Sequence, residues 1–72
     1  MEKFKVSILS QYLRLSLHIQ NLESFVANAE RFSKLLTAEQ ILLKKQLECM
    51  RALAAVYRER LRIHNISYHE KG

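Results

Sequence analysis

The chain contains no proline and no tryptophan, a single cysteine, and a single glycine, which is its last residue. Glycine and proline are the residues that most readily turn a chain or end a helix, so little in this sequence interrupts regular structure. Leucine, alanine, glutamate, glutamine, lysine and arginine are abundant, and all of them favour helices. The composition therefore predicts an all-α protein.

Disulfides and long apolar runs are missing as well. Cys49 has no second cysteine in the chain to pair with, which is typical of a reducing compartment. No stretch approaches the length of about 18 consecutive apolar residues that a membrane-spanning helix needs, so we expect no contact with the membrane interior. The 72 residues make one domain at most, and a chain this short is often marginally stable alone.

Apolar residues recur in alternating steps of four and three along two stretches, about 5–32 and about 38–65. The first seam consists of Ile8, Tyr12, Leu15, Ile19, Leu22, Val26 and Ala29. The second consists of Leu43, Leu47, Met50, Ala54, Tyr57, Leu61 and His64. Each seam fits one side of a helix of roughly 30 Å. Two matched helices joined by a short turn at about 33–37 predict one antiparallel helical-hairpin domain over 1–72, with a frayed tail at 66–72.

Four residues around position 37 predict where the second helix begins. Thr37 has the side chain of an N-cap, and Gln40, three residues later, completes a capping box. Leu36 and Ile41 have the spacing of a hydrophobic staple across this cap. On this interpretation, Thr37→Ala costs about 1 kcal/mol of stability.

A second apolar stripe runs along the second helix beside its seam. We call this set the second stripe: Leu42, Cys49, Leu53, Val56 and Ile63. The first helix adds Leu9, Leu13 and Leu17 outside its own seam. A lone hairpin cannot bury all of these side chains, and exposed apolar surface commonly marks an interface. We therefore predict a homo-oligomer, most simply a four-helix bundle, through Leu13, Leu17 and the second stripe. The alternatives are tolerated surface residues and a stripe that a host protein covers.

Basic side chains also share one side of the second helix. We call them the basic strip: Lys44, Arg51, Arg58 and Arg62. With a net charge of +5, the strip is a candidate anion-binding surface, and two strips facing each other in an oligomer would form a small basic pocket. The alternative is a solvated polar face on which Glu48 and Glu59 pair with neighbouring cations.

Groups that could carry catalysis or hold a metal are sparse. His18, His64 and His69 lack metal-ligand spacing, and Cys49 is the one cysteine available. We expect Cys49 to be buried as a small hydrophobic residue. The seven acidic residues are scattered over polar faces, and a hairpin offers no deep pocket to perturb their pKa values. We expect no enzyme activity, no metal and no cofactor.

From His18 to Ile63 the sequence resembles a group of small, mostly uncharacterised helical-hairpin proteins of phages and prophages. The matching residues are Ile19, Leu22, Phe25, Phe32, Leu35 or Leu36, Glu39, Gln40, Leu42, Leu43, Gln46, Leu47, Met50, Val56, Tyr57, Arg60 and Leu61. In that group a similar EQ-x-LL-x-x-QL-x-x-M pattern opens the second helix. The resemblance implies a phage or prophage setting and work in the host bacterial cytoplasm, often by binding.

The leading functional hypothesis is a non-enzymatic helical oligomer that modulates or counters a host bacterial function, such as defence, by binding a protein. A second hypothesis is sequestration of a small anionic nucleotide signal in basic pockets between subunits. Nucleic-acid binding is a third hypothesis, and its mark is an affinity that falls steeply with salt. A structural role in the virion is a fourth.

Overall fold

The computed structural model describes the backbone of residues 3–66 and the side chains of residues 5–66. Three helices occupy this part of the chain: α1 (Lys3–Ala27), α2 (Ala29–Ser33) and α3 (Thr37–Ile63). The part described contains no strand, so the predicted all-α class is confirmed. Most of the predicted tail, residues 67–72, lies outside the described residues, as does His69.

The two long helices pack antiparallel, and every residue of the two predicted seams except the exposed Ala29 is buried or half-buried. The core cluster consists of Ile8, Tyr12, Ala54, Leu61 and Ile66, with Leu9, Leu15, Ile19 and Tyr57 packed against it. Because Ile8 and Tyr12 lie early in α1 and Leu61 lies late in α3, the contact fixes the antiparallel register. The Tyr57 hydroxyl adds a polar link between the helices by donating a hydrogen bond of 2.8 Å to Gln11 Oε1.

Asn28 divides the helix that the sequence predicts as continuous over 5–32. Its backbone is extended, with φ −81° and ψ 91°, and its Oδ1 accepts a hydrogen bond of 3.2 Å from the Arg31 backbone N–H. Asparagine side chains offer the backbone this alternative to helical bonding, so α1 ends and α2 starts with a capped turn. Beyond the break Phe32 is buried, and its ring meets the Phe25 ring edge to face with centroids 6.4 Å apart.

The C-terminus of α3 closes in a Schellman motif. Asn65 takes the left-handed conformation with φ 56°. The Ile66 N–H then donates to the Leu61 carbonyl at 2.9 Å, and the Asn65 N–H donates to the Arg62 carbonyl at 3.0 Å. These two bonds satisfy carbonyls that a helix end leaves free, and they turn Ile66 back into the core beside Leu61.

The start of α3 corrects the capping-box prediction. Leu36 occupies the cap position without a side-chain hydrogen bond, and Thr37 is already the first helical residue. Gln40 reaches back instead to the turn, where its Nε2 donates a hydrogen bond of 2.9 Å to the Leu35 carbonyl. Leu36 is 80% exposed, so it forms no buried staple with Ile41, which is exposed too. Because Thr37 is itself the first helical residue, its hydroxyl does not occupy the cap position.

This geometry reverses the expected ranking of two substitutions. Thr37→Ala removes no cap bond and is expected to change the free energy of unfolding by less than about 0.5 kcal/mol. Gln40→Ala removes the bond to the half-buried Leu35 carbonyl and is expected to cost about 1 kcal/mol. Urea unfolding followed by circular dichroism compares the two variants under identical conditions. If Thr37→Ala lowered the free energy of unfolding more than Gln40→Ala, the result would support the capping box instead.

Candidate ligand groove and exposed surfaces

Three of the four basic-strip residues already have neighbours within the chain. Arg51 Nη2 lies 2.7 Å from Glu23 Oε2 on α1, and Arg62 Nη2 lies 2.7 Å from Glu59 Oε1 one turn away. The Lys44 ammonium lies 5.5 Å from the centroid of the Phe32 ring. Arg58 is exposed and forms no hydrogen bond or ion pair with residues 5–66. The strip is therefore partly neutralised, and its charges lie along the helix without converging on one point.

The Glu59–Arg62 pair also changes how both groups titrate. The hydrogen bond from Arg62, and then its positive charge, lower the pKa of the Glu59 carboxyl. The same contacts raise the pKa of the Arg62 guanidinium. Both side chains are exposed, so the pair contributes little to folding, and its two charges offset each other on the surface of α3.

A shallow groove of about 330 Å³ lies between α1 and α3 on the side opposite the Glu23–Arg51 pair. Leu22, Phe25 and Met50 give it an apolar floor, and His18, Asn21 and Gln46 supply polar groups at its edges. The side chains of His18 and Asn21 are exposed and form no hydrogen bond with residues 5–66. Gln46 has only a weak contact, from Nε2 to Met50 Sδ at 3.9 Å. The groove thus combines a ring-sized apolar surface with side-chain donors and acceptors that are free to bind a ligand.

The groove was not predicted from the sequence. Asn21 falls on the outer side of its own helix, where the sequence pattern indicates a solvent-exposed residue. The available signal was the spacing of His18 and Asn21, which places them one turn apart, together with the antiparallel register that brings Gln46 opposite them.

The second stripe lies on the outer surface of the single chain. Leu42, Leu53, Val56 and Ile63 are between 45% and 63% exposed, and Cys49 is exposed too. The expectation that Cys49 is buried is therefore wrong for one chain, because its row faces away from α1. On α1, Leu13 and Leu17 are exposed as predicted, Val6 joins them, and Leu9 packs against the core instead.

Two features that other functions require are missing from the described part of the chain. No group of three or more His, Cys, Asp or Glu side chains is placed to hold a metal ion among these residues. Within the same residues, no helix combines the length and the apolar character needed to cross a membrane.

These features describe a small helical-hairpin protein with an open groove and exposed apolar rows. A family model described as Sequestin matches residues 2–63, and the chain belongs to this family. The family's name points to binding or sequestering rather than to catalysis. No curated protein and no solved structure proved similar in the other two comparisons.

Proposed function

We propose that this protein is a non-enzymatic binding protein that sequesters a small anionic nucleotide in the groove between α1 and α3. The observation that carries the proposal is the set of polar side chains around the apolar floor at Phe25: His18 and Asn21, which form no hydrogen bond with residues 5–66, and Gln46, whose contact with Met50 is weak. Ligand sites usually have this composition, with mostly apolar walls and a few polar groups that fix orientation. The Sequestin family name supports the same role.

The groove chemistry fits the parts of a nucleotide. An aromatic side chain offers a base a stacking surface worth about 1–3 kcal/mol. The side-chain amides of Asn21 and Gln46 each present a donor and an acceptor, as base edges do. The net charge of +5 raises the local concentration of anions, and the free Arg58 side chain contributes to that field.

The biological setting that we propose follows from the resemblance to phage and prophage proteins. A protein that holds a host nucleotide signal without converting it would counter a host bacterial function, such as defence, from within the bacterial cytoplasm. Such a role requires stoichiometric binding and no turnover, so a groove without a catalytic pair is sufficient.

Binding of a host protein is the second candidate function. The exposed row Val6, Leu13 and Leu17 on α1 favours it, because a second helix could cover these side chains. This row lies on a different helix from the second stripe, so both surfaces can be occupied at once.

The test is a binding panel on the full chain. Nucleoside monophosphates, linear and cyclic dinucleotides, and a short oligonucleotide are each added while the melting temperature is measured. A ligand bound only by the folded state raises stability by about 2.7 kcal/mol at a concentration of 100 Kd. We expect a nucleotide to stabilise the protein and to be recovered chemically intact after denaturation. Conversion of the nucleotide, or stabilisation by none of them, would overturn the proposal, and tighter salt-sensitive binding of the oligonucleotide would favour nucleic acid.

A further inference from the structure

The row of α1 residues that lines the groove continues along the helix to Arg14. His18, Asn21 and Phe25 line the groove, and Arg14 precedes His18 by four residues. Residues three or four positions apart lie on one side of a helix, so Arg14 shares the side of α1 that carries these three residues. The row therefore presents a guanidinium, an imidazole, an amide and an aromatic ring in that order along the helix axis.

The charge of Arg14 is not neutralised within the described part of the chain. Arg14 is exposed and forms no hydrogen bond or ion pair with residues 5–66. No acidic residue occurs between Lys5 and Leu22, and the next one along α1, Glu23, forms an ion pair with Arg51. Arg14 is thus a cation that is available to bind an anion on the groove side of α1.

The spacing along this row follows the order of the groups in a nucleotide. Asn21 comes seven residues after Arg14, which is about 10.5 Å along the helix axis, and His18 lies between them. A base that stacks on Phe25 with its edge at Asn21 can extend its sugar past His18 and its phosphate toward Arg14. The reverse orientation would place the phosphate on the apolar floor, where no lysine or arginine lines the groove and where a charge is costly to bury. The charges therefore favour one orientation of the ligand.

We propose that Arg14 forms the phosphate subsite of the groove, which holds one nucleotide unit with its base at Phe25 and its phosphate at Arg14. The planar guanidinium of arginine binds two phosphate oxygens at once, and such charge-assisted bonds are about twice as strong as neutral ones. The ligand class is then a nucleoside that carries at least one phosphate on its sugar, and any further unit of a larger ligand lies outside this groove. This inference rests on the proposed function.

Removal of the guanidinium tests the phosphate contact. Arg14→Gln is expected to lower the affinity for a nucleoside monophosphate at least about tenfold, because the phosphate loses its direct partner. The matching nucleoside has no phosphate, so it is expected to bind the wild type more weakly than the monophosphate does, and to bind the variant as it binds the wild type. Titration calorimetry of the full chain with the common nucleosides and their monophosphates measures these affinities. Melting curves without ligand show that the variant folds.

Arg58→Gln is the matched control. Arg58 is likewise an exposed arginine that forms no hydrogen bond or ion pair with residues 5–66, and its substitution changes the net charge by the same amount. Arg58 belongs to the basic strip, however, on the other side of the hairpin. We expect Arg58→Gln to lower the affinity for the monophosphate less than about twofold, through the long-range field alone, and to lose this effect as salt screens that field.

Three results would overturn the phosphate subsite and leave nucleotide binding in place. The first is an equal loss of monophosphate affinity in Arg14→Gln and Arg58→Gln, which would indicate an effect of net charge alone. The second is a loss of nucleoside affinity in Arg14→Gln as large as the loss for the monophosphate, which would give Arg14 a role other than phosphate binding. The third is a wild type that binds a dinucleotide of the panel and no monophosphate. A wild type that binds no member of the panel would overturn the proposed function and this subsite together.

Discussion

Replacing Leu61 with alanine is expected to unfold a large fraction of the protein at 25 °C. Leu61 is 0% exposed and lies in the core cluster with Tyr12 and Ile66. Its truncation removes buried methyl groups and leaves a cavity, which costs about 2–5 kcal/mol at fully buried leucines. A chain of this length has a small reserve of stability, so the loss is comparable with the whole free energy of unfolding. Loss of helical circular dichroism and a lower urea midpoint would record it.

Ile63 provides a matched control on the same turn of α3. It is 63% exposed and lies on the outer row, so Ile63→Ala is expected to change the unfolding of the single chain by less than about 0.5 kcal/mol. If α3 pairs with a second copy, the same change lowers the affinity between copies, and its effect on the urea midpoint grows with protein concentration. Equal effects of Leu61→Ala and Ile63→Ala at micromolar concentration would contradict the assignment of the inner and outer faces of α3.

The hairpin was predictable because its information lies in the periodicity of apolar residues. The steps of four and three placed Ile8 and Tyr12 on one seam and Ala54 and Leu61 on the other, and all four are buried. Because this periodicity is judged over many residues, one irregular position does not change the predicted helix. The ends of the helices depend instead on single side chains, and at Asn28 an amide oxygen competes successfully with the helical hydrogen bond. The apolar periodicity carries no information about this competition, so it does not predict the break at Asn28.

The candidate site was less predictable because it depends on contacts between helices. The composition of α3 shows the basic strip, but not that Arg51 pairs with Glu23, a residue 28 positions earlier in the chain. In the sequence, His18 and Gln46 likewise have no evident relation to each other. The register of the hairpin places both around one groove. A sequence pattern within one helix predicts which side a residue occupies. It does not predict which residue of the other helix lies opposite.

A single-atom change in the groove is expected to have the largest effect on ligand binding. Asn21→Asp keeps the shape of the side chain and replaces the amide nitrogen with an oxygen. The new carboxylate loses the donor that faces a base edge, and it repels an anionic ligand at short range. We expect nucleotide affinity to fall at least about tenfold, which corresponds to about 1.4 kcal/mol. Because Asn21 is exposed and forms no hydrogen bond with residues 5–66, the unfolding curve should be nearly unchanged.

Gln20→Glu is the control that separates a local effect from a general one. It adds the same negative charge one residue away, but Gln20 is exposed and does not line the groove. If binding depends only on the net charge of the protein, both variants weaken it equally relative to the wild type. That loss of affinity then disappears at high salt because screening removes long-range attraction. If the groove holds the nucleotide, Asn21→Asp weakens binding much more than Gln20→Glu at every salt concentration. Titration calorimetry at low and moderate salt distinguishes these results. Equal losses of nucleotide affinity in the two variants would indicate that the ligand binds at the basic strip, on the other side of the hairpin, and not in the groove.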